Sequence, residues 1–170
     1  LLYKGEPLIR RTVRIARSVN LSPIHVVIGY SSSKIYEAIG QLSRNVTIVN
    51  NSTWAQGMGN SLSCGIRSLP SDINAALVLV IDQLCLSDIV LNSILCRYRT
   101  GKFSIVASQY DSGSIGVPAV FSDTHFKELS ALNGTAGAKK LLTRYSDTLA
   151  TISFPGGDTD IDTLVEETTP

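Results

Sequence analysis

Apolar positions recur along the chain at two spacings, and the spacings alternate. Leu8, Ile9, Val13 and Ala16 fall on one face of a helix that Pro7 opens and that runs to about Val19. Arg10, Arg11, Arg14 and Arg17 lie mostly outside that stripe and read as a solvated face. Ile24 to Gly29 is a short apolar strand that ends in the turn Gly29-Tyr30-Ser31-Ser32. A helix over roughly Ser33 to Leu42 and a strand over Val46 to Val49 follow. Leu62, Ile66 and Leu69 mark the next helix, and Ala76 to Ile81 is a continuous apolar run. Beyond it come a helix from Ser87 or Asp88 to about Arg99 and a strand over Ile105 to Ser108. A polar, glycine-bearing loop from Gln109 to Pro118 returns at Ala119-Val120-Phe121. Asp123 to Leu132 and the segment through Leu141-Leu142 read as helices, and Leu149 to Phe154 as the last strand. Strands alternating with helices predict an α/β fold with a largely parallel sheet.

The run Ala76 to Ile81 is rich in Val and Ile and reads as a central strand buried on both faces. It stops at Asp82. In open α/β sheets ligands bind beyond the carboxyl ends of the strands, so Asp82 stands where chemistry is expected. A carboxylate there needs a metal ion, a basic side chain or a helix N-terminus beside it. The plainer alternative is that Asp82 caps the helix whose apolar face begins near Ile89.

Composition narrows the field. A chain of 170 residues suits a single domain, and no repeat or linker divides it. A formal net charge of +1 favours neither a nucleic-acid surface nor disorder. No apolar run approaches the roughly 20 residues of a membrane span, and nothing resembles a signal peptide. Cys64, Cys85 and Cys96 form no Cys-x-x-Cys pair and read as buried thiols of a reducing cytoplasm. His25 and His125 are too scattered for a zinc site.

Two loops remain as candidate chemistry. Gly57 and Gly59 permit a tight backbone before a helix that Asn60 or Ser61 can cap, and amides at that helix start would make an anion site. Trp54, the one tryptophan, reads as packing beneath this loop. After the last strand, Asp158, Asp160 and Asp162 form either a solvated acidic turn or a second set of metal-facing carboxylates.

Four stretches together resemble the MobA-like nucleotidyltransferases, in particular the branch of molybdopterin cytidylyltransferases. Trp54-Ala55-Gln56-Gly57-Met58-Gly59-Asn60-Ser61-Leu62 is similar to the family's Trp/Tyr-x-x-Gly-Met-x-x-Ser-Leu loop. Ile81-Asp82-Gln83-Leu84 resembles Gly-Asp-Gln-Pro, and Gly116-Val117-Pro118 with Phe121 resembles Gly-x-Pro-x-x-Phe. Asp160-Ile161-Asp162-Thr163 resembles Asp-Ile-Asp-Thr-Pro, and Gly134 to Lys139 fits a smaller family loop. Ile81 replaces a glycine, and Leu84 and Leu164 replace prolines. The family's glycine-rich Leu-Ala-Ala-Gly-x-Ser-x-Arg-Met-Gly-x-x-Lys stretch would lie just before Leu1, so Lys4 is not its lysine.

The resemblance implies a three-layer α/β/α sandwich with a Rossmann-like, mostly parallel sheet. It implies one nucleotidyltransferase domain over residues 1–170, without its glycine-rich loop and first strand. The implied reaction moves a nucleotidyl group, CMP from CTP, onto a phosphorylated acceptor, molybdopterin, and releases pyrophosphate. Mg²⁺ is the implied cofactor, with Asp82 and Asp162 as catalytic metal ligands. Gly57, Met58, Gly59, Ser61, Gln83, Gly116 and Pro118 are the implied substrate contacts. Molybdoenzymes or their chaperones are implied partners, and nucleic acid and membrane are not. GTP with the same acceptor is the alternative donor, and an inactive nucleotide-binding or regulatory module is the alternative class.

Overall fold

The structure, a computed structural model, describes residues 1–30, 32–40 and 46–159. The chain opens with a two-stranded hairpin, β1 (Leu2–Tyr3) and β2 (Glu6–Pro7), then helix α1 (Leu8–Ser18). Strand β3 (Ile24–Ile28), α2 (Ser32–Ile39), β4 (Val46–Asn50), α3 (Met58–Arg67) and β5 (Ala75–Val78) follow. Helix α4 (Asp88–Arg99) leads to β6 (Ile105–Gln109) and β7 (Ile115–Ser122), and α5 (Phe126–Ser130), α6 (Lys139–Arg144) and β8 (Ala150–Ser153) complete the order.

Period-two alternation in β6 and β7 divides the interior into two cores. Val106 and Val120 point to one face, where they meet Ile15 of α1, Val19 just after it, and Leu91, Ile94 and Leu95 of α4. Ile105, Ala107, Ala119 and Phe121 point to the other, against Ile66 of α3, Leu129 of α5 and Leu141 and Leu142 of α6. Helices therefore cover both faces, and the three-layer α/β/α arrangement stands.

The strands form two larger sheets. β3 and β4 pair in parallel, with Val13 of α1 and Ile39 of α2 packed on them. The other sheet has the order β5-β7-β6-β8. In it β6 and β8 are parallel, and β7 is antiparallel to both β5 and β6. The hairpin loop is short, so Gly116, Val117 and Pro118 lie in β7 and not in the loop expected there. Helices α1 and α3 hold the two sheets together: α1 packs on both α2 and α4, and α3 on both β3 and α5.

The apolar run after Asn74 departs from its expected place. Only Ala75–Val78 forms a strand, and every residue in it is half-buried. One edge of β5 pairs with β7, and the other borders a cavity of about 1740 Å³. Successive residues of β5, and successive residues of β3, line that cavity. Lining by consecutive residues means that strand edges, not faces, border it. Leu79 and Val80 continue along it, and Ile81 is 45% exposed.

Smaller corrections follow from tertiary packing. Arg11 is half-buried and not solvated: its Nη2 donates to the carbonyls of Leu84 (2.9 Å) and Leu86 (2.7 Å). Cys85 and Cys96 are exposed and Cys64 half-buried, because turn and helix geometry, not thiol hydrophobicity, sets their places. Ile89 is exposed, and α4 buries Leu91, Ile94 and Leu95 in its stead. The expected helix from Asp123 to Leu132 is a 3₁₀ turn followed by the short α5.

Candidate active site

Asp82 is half-buried in the turn that follows β5. It does not cap α4, whose N-cap is Ser87; the Ser87 hydroxyl accepts from the Val90 N–H at 3.4 Å. The capping alternative for Asp82 is thereby removed.

The next residue joins three loops. Gln83 is 5% exposed, and its Nε2 donates to the carbonyls of Val117 and Gly157, each at 2.8 Å. The same nitrogen lies 3.1 Å from the Tyr110 hydroxyl, which donates to the Val117 carbonyl at 2.5 Å. Tyr110 explains two glycines: a Cβ on Gly116 would stand 2.2 Å from the phenol oxygen, and one on Gly157 2.6 Å from the ring. The turn after β5, the β6–β7 hairpin and the loop after β8 are thus closed upon one phenol. Burial raises the Tyr110 pKa, with the charges of Asp158 and Asp82 adding to it and the Gln83 bond opposing it. Both carboxylates therefore bear on the same phenol, from positions 76 residues apart in the sequence.

Gly57 and Gly59 do not face this cavity. Gly57 has φ +117°, and a Cβ on it would lie 2.5 Å from the Gly134 carbonyl. On Gly59 a Cβ would lie 2.7 Å from the Asn133 carbonyl. The Gly59 N–H donates to the Gly134 carbonyl at 2.9 Å, and the Gly134 N–H donates to Asn60 Oδ1 at 2.9 Å. The glycines let one chain segment approach another. Neither Asn60 nor Ser61 caps α3, which begins earlier, after Gly57, without a side-chain cap. Ser61 Oγ accepts instead from Asn51 Nδ2 at 3.0 Å. The anion site expected at this helix start loses the Gly59 amide to the chain's own carbonyl.

Of the expected site residues, Asp82, Gln83, Met58, Ser61 and Gly116 line one cavity. Pro118 is buried behind it and accepts from Ser108 Oγ at 2.9 Å through its carbonyl. Asp162, like Asp160, lies outside the described residues. Sequence reasoning passes over Tyr110 and reads Arg11 as solvated, while Asp158 is one of three carboxylates it offers as metal-facing. Asp158 lines the same cavity, and Arg11 fixes the segment just after Asp82.

Among the described residues no three His, Cys, Asp or Glu side chains cluster as a complete metal cage. Magnesium needs less, since it takes one or two carboxylates and completes its shell with water and phosphate. Asp82 and Asp158, which line the same cavity, are oxygen donors of the kind such an ion takes.

A carboxylate just beyond a strand end, beside an open cavity in a sheet covered by helices on both faces, is the arrangement in which α/β domains bind their ligands. Residues 1–149 match the MobA-like NTP transferase domain, and the chain belongs to that family. No curated protein matches it in sequence. Among solved structures it is similar to Rv0371C of Mycobacterium tuberculosis in complex with manganese. That pair has 20% identity and a TM-score of 0.78, over 98% of this chain and 88% of that one. It is also similar to 4-diphosphocytidyl-2C-methyl-D-erythritol synthase of Anaerococcus prevotii, with 15% identity and a TM-score of 0.75, over 97% and 84% of the chains. Molybdopterin-guanine dinucleotide biosynthesis protein A of Archaeoglobus fulgidus is similar over 99% and 77%, with 14% identity and a TM-score of 0.54. At these identities the likeness is one of fold.

Proposed function

We propose that the protein transfers a nucleotidyl group, CMP from CTP, to a phosphorylated acceptor of the molybdopterin kind. An acceptor phosphate oxygen bonds to the α-phosphorus, the α–β anhydride bond breaks, and pyrophosphate leaves. One observation carries the reading: Gln83 ties the turn of Asp82 to the loop of Asp158, so acidic groups distant in sequence line one cavity. Asp82 and Asp162 are the proposed ligands of a divalent cation, Mg²⁺; the manganese in the M. tuberculosis relative supports a divalent site in this fold. When bound, the cation offsets the negative charge on the phosphates. Met58, Ser61 and Gly116 are the proposed substrate contacts, and Gln83, Gly57, Gly59 and Pro118 act by shaping the loops around them.

The same reading has the sheet completed by one further strand carrying a glycine-rich loop. The facing edges of β3 and β5, each bordering the cavity with consecutive residues, support it. Three free cysteines suit a reducing cytoplasm as its location. No helix among the described residues is long and apolar enough to cross a membrane.

Calorimetric titration with CTP and GTP, each with Mg²⁺, tests the donor. Tighter binding of CTP is expected; equal affinities or a GTP preference would remove the cytidylyl assignment. A second reading, nucleotide binding without turnover, is favoured by Ile81, whose side chain borders the cavity beside Asp82. It predicts binding of the nucleotide with no release of pyrophosphate.

A further inference from the structure

Two exposed aromatic rings stand together at one end of the β3–β4 sheet. Tyr30 lies just beyond β3 and is 74% exposed; Trp54 lies just beyond β4 and is 45% exposed. Because β3 and β4 run parallel and in register, both rings rise from the carboxyl end of the sheet, where ligands of such folds bind. Their centroids are 5.6 Å apart and their planes tilted by 54°, so neither ring covers the face of the other.

The backbone beneath Trp54 is held firmly. A Cβ on Gly29 would lie 2.3 Å from Trp54 Cβ, so the indole stem rests directly on the β3 turn. Asn51 is buried, and its Oδ1 accepts from the backbone N–H (3.0 Å) and the hydroxyl (2.9 Å) of Thr53. The Asn51 N–H donates to the Ile28 carbonyl at 2.8 Å, and the Gly57 N–H to the Trp54 carbonyl at 3.0 Å. Two exposed aromatic rings side by side on a fixed backbone offer apolar area that a flat ligand could cover at little ordering cost. Neither ring lines the cavity that holds Asp82. Ile28, two residues before Tyr30, and Met58, four residues after Trp54 at the start of α3 and 60% exposed, both do, so short stretches of chain link the ring pair to the candidate active site.

We propose that Trp54 and Tyr30 form a stacking platform for the planar heteroaromatic ring of a ligand of this cavity. The ring is either the base of the donor nucleotide or the fused ring of a pterin acceptor; both offer the same flat, polarisable face. The inference rests on the nucleotidyltransferase reading and names a recognition surface for its substrates.

The single tryptophan makes the test direct, since emission reports on Trp54 alone. The protein is titrated with CTP, GTP, a pterin phosphate and inorganic tripolyphosphate, each with Mg²⁺, by fluorescence and by calorimetry. At least one ring-bearing probe is expected to quench Trp54 saturably, while tripolyphosphate leaves its emission unchanged. Tyr30→Ala and Trp54→Ala are expected to weaken that probe about tenfold without weakening tripolyphosphate, and Trp54→Phe to restore most of the loss. Loss for a nucleotide assigns the platform to the donor; loss for the pterin assigns it to the acceptor. Variants that bind every ring-bearing probe within about twofold of wild type would overturn the platform and leave the enzyme reading intact. Failure of the wild-type protein to bind any of the four probes would overturn both.

Discussion

The side-chain amide of Gln83 and the backbone carbonyl of Gly157 meet at 2.8 Å across 74 positions of sequence. This bond holds the loop after β8 against the turn that carries Asp82, and Tyr110 fills the space between them. Gln83→Met keeps the volume but removes the donor, and leaves the Gly157 carbonyl without it. A loss of about 1–3 kcal/mol in stability is expected. Hydrogen exchange should rise at the Gly157 and Thr159 amides, which are bonded to Phe154 and Gly156 in the intact loop. Unchanged exchange there would show that the loop holds its place without Gln83.

Gly57→Ala and Gly101→Ala separate two effects of a glycine. Both positions have positive φ, +117° and +72°, so both variants carry backbone strain. Only Gly57 also has a carbonyl in the way; around Gly101 a Cβ meets nothing within 4 Å. Thermal melts should show a loss of about 1 kcal/mol for Gly101→Ala and clearly more for Gly57→Ala. Equal losses would mean that the 133–138 loop yields freely.

Two arginines of α1 should behave differently. Arg14 pairs with Glu6 at 2.8 Å on the surface, and Arg14→Met is expected to change stability by less than about 1 kcal/mol. Arg11 serves two carbonyls of the 84–86 segment, and Arg11→Met should cost about 1.5–3 kcal/mol. Denaturant titrations of the two variants check the order, which the solvated-face reading of both residues would erase.

Acid should destabilise the protein through its histidines. Burial lowers the pKa of both His25 and His125; a nearby Glu128 charge partly opposes this at His125. A folded-state pKa below the unfolded value of about 6.5 means that the folded protein binds fewer protons. The stability from these neutral rings is complete above pH ~6.5 and is lost as pH falls below it. Melting temperatures from pH 8 to 5 should be flat at first and then decline, with a shallower decline in His125→Gln. A decline of equal steepness in that variant would place the acid sensitivity elsewhere.

Helix spacing along Leu8 to Ala16, strands alternating with helices, and the abrupt stop at Asp82 made the α/β class and the position of the acidic group legible in the sequence. The three-layer arrangement followed from the family resemblance. What escaped has a common cause: it depends on partners far along the chain. Periodicity in α1 sees only its own helix, so Arg11 reads as solvated although its carbonyl partners lie at Leu84 and Leu86. A glycine pair before a helix looks the same whether a ligand or another loop approaches it, and here Gly57 and Gly59 receive the 133–138 loop. Nothing local marks Tyr110 as the filling between Gly116 and Gly157. The run Ala76 to Ile81 has the composition of a central strand, yet one edge of β5 borders the cavity.

The most direct test of the account is Mn²⁺ binding in the presence of CTP, followed by electron paramagnetic resonance in wild type and Asp82→Asn. Asp82 is the one proposed metal ligand within the described residues, and the exchange of oxygen for an amide keeps its shape while removing its charge. The account predicts that wild type takes up Mn²⁺, that Asp82→Asn loses at least about tenfold in affinity, and that its melting temperature without metal is equal or slightly higher. Equal Mn²⁺ affinity in the two proteins would contradict it.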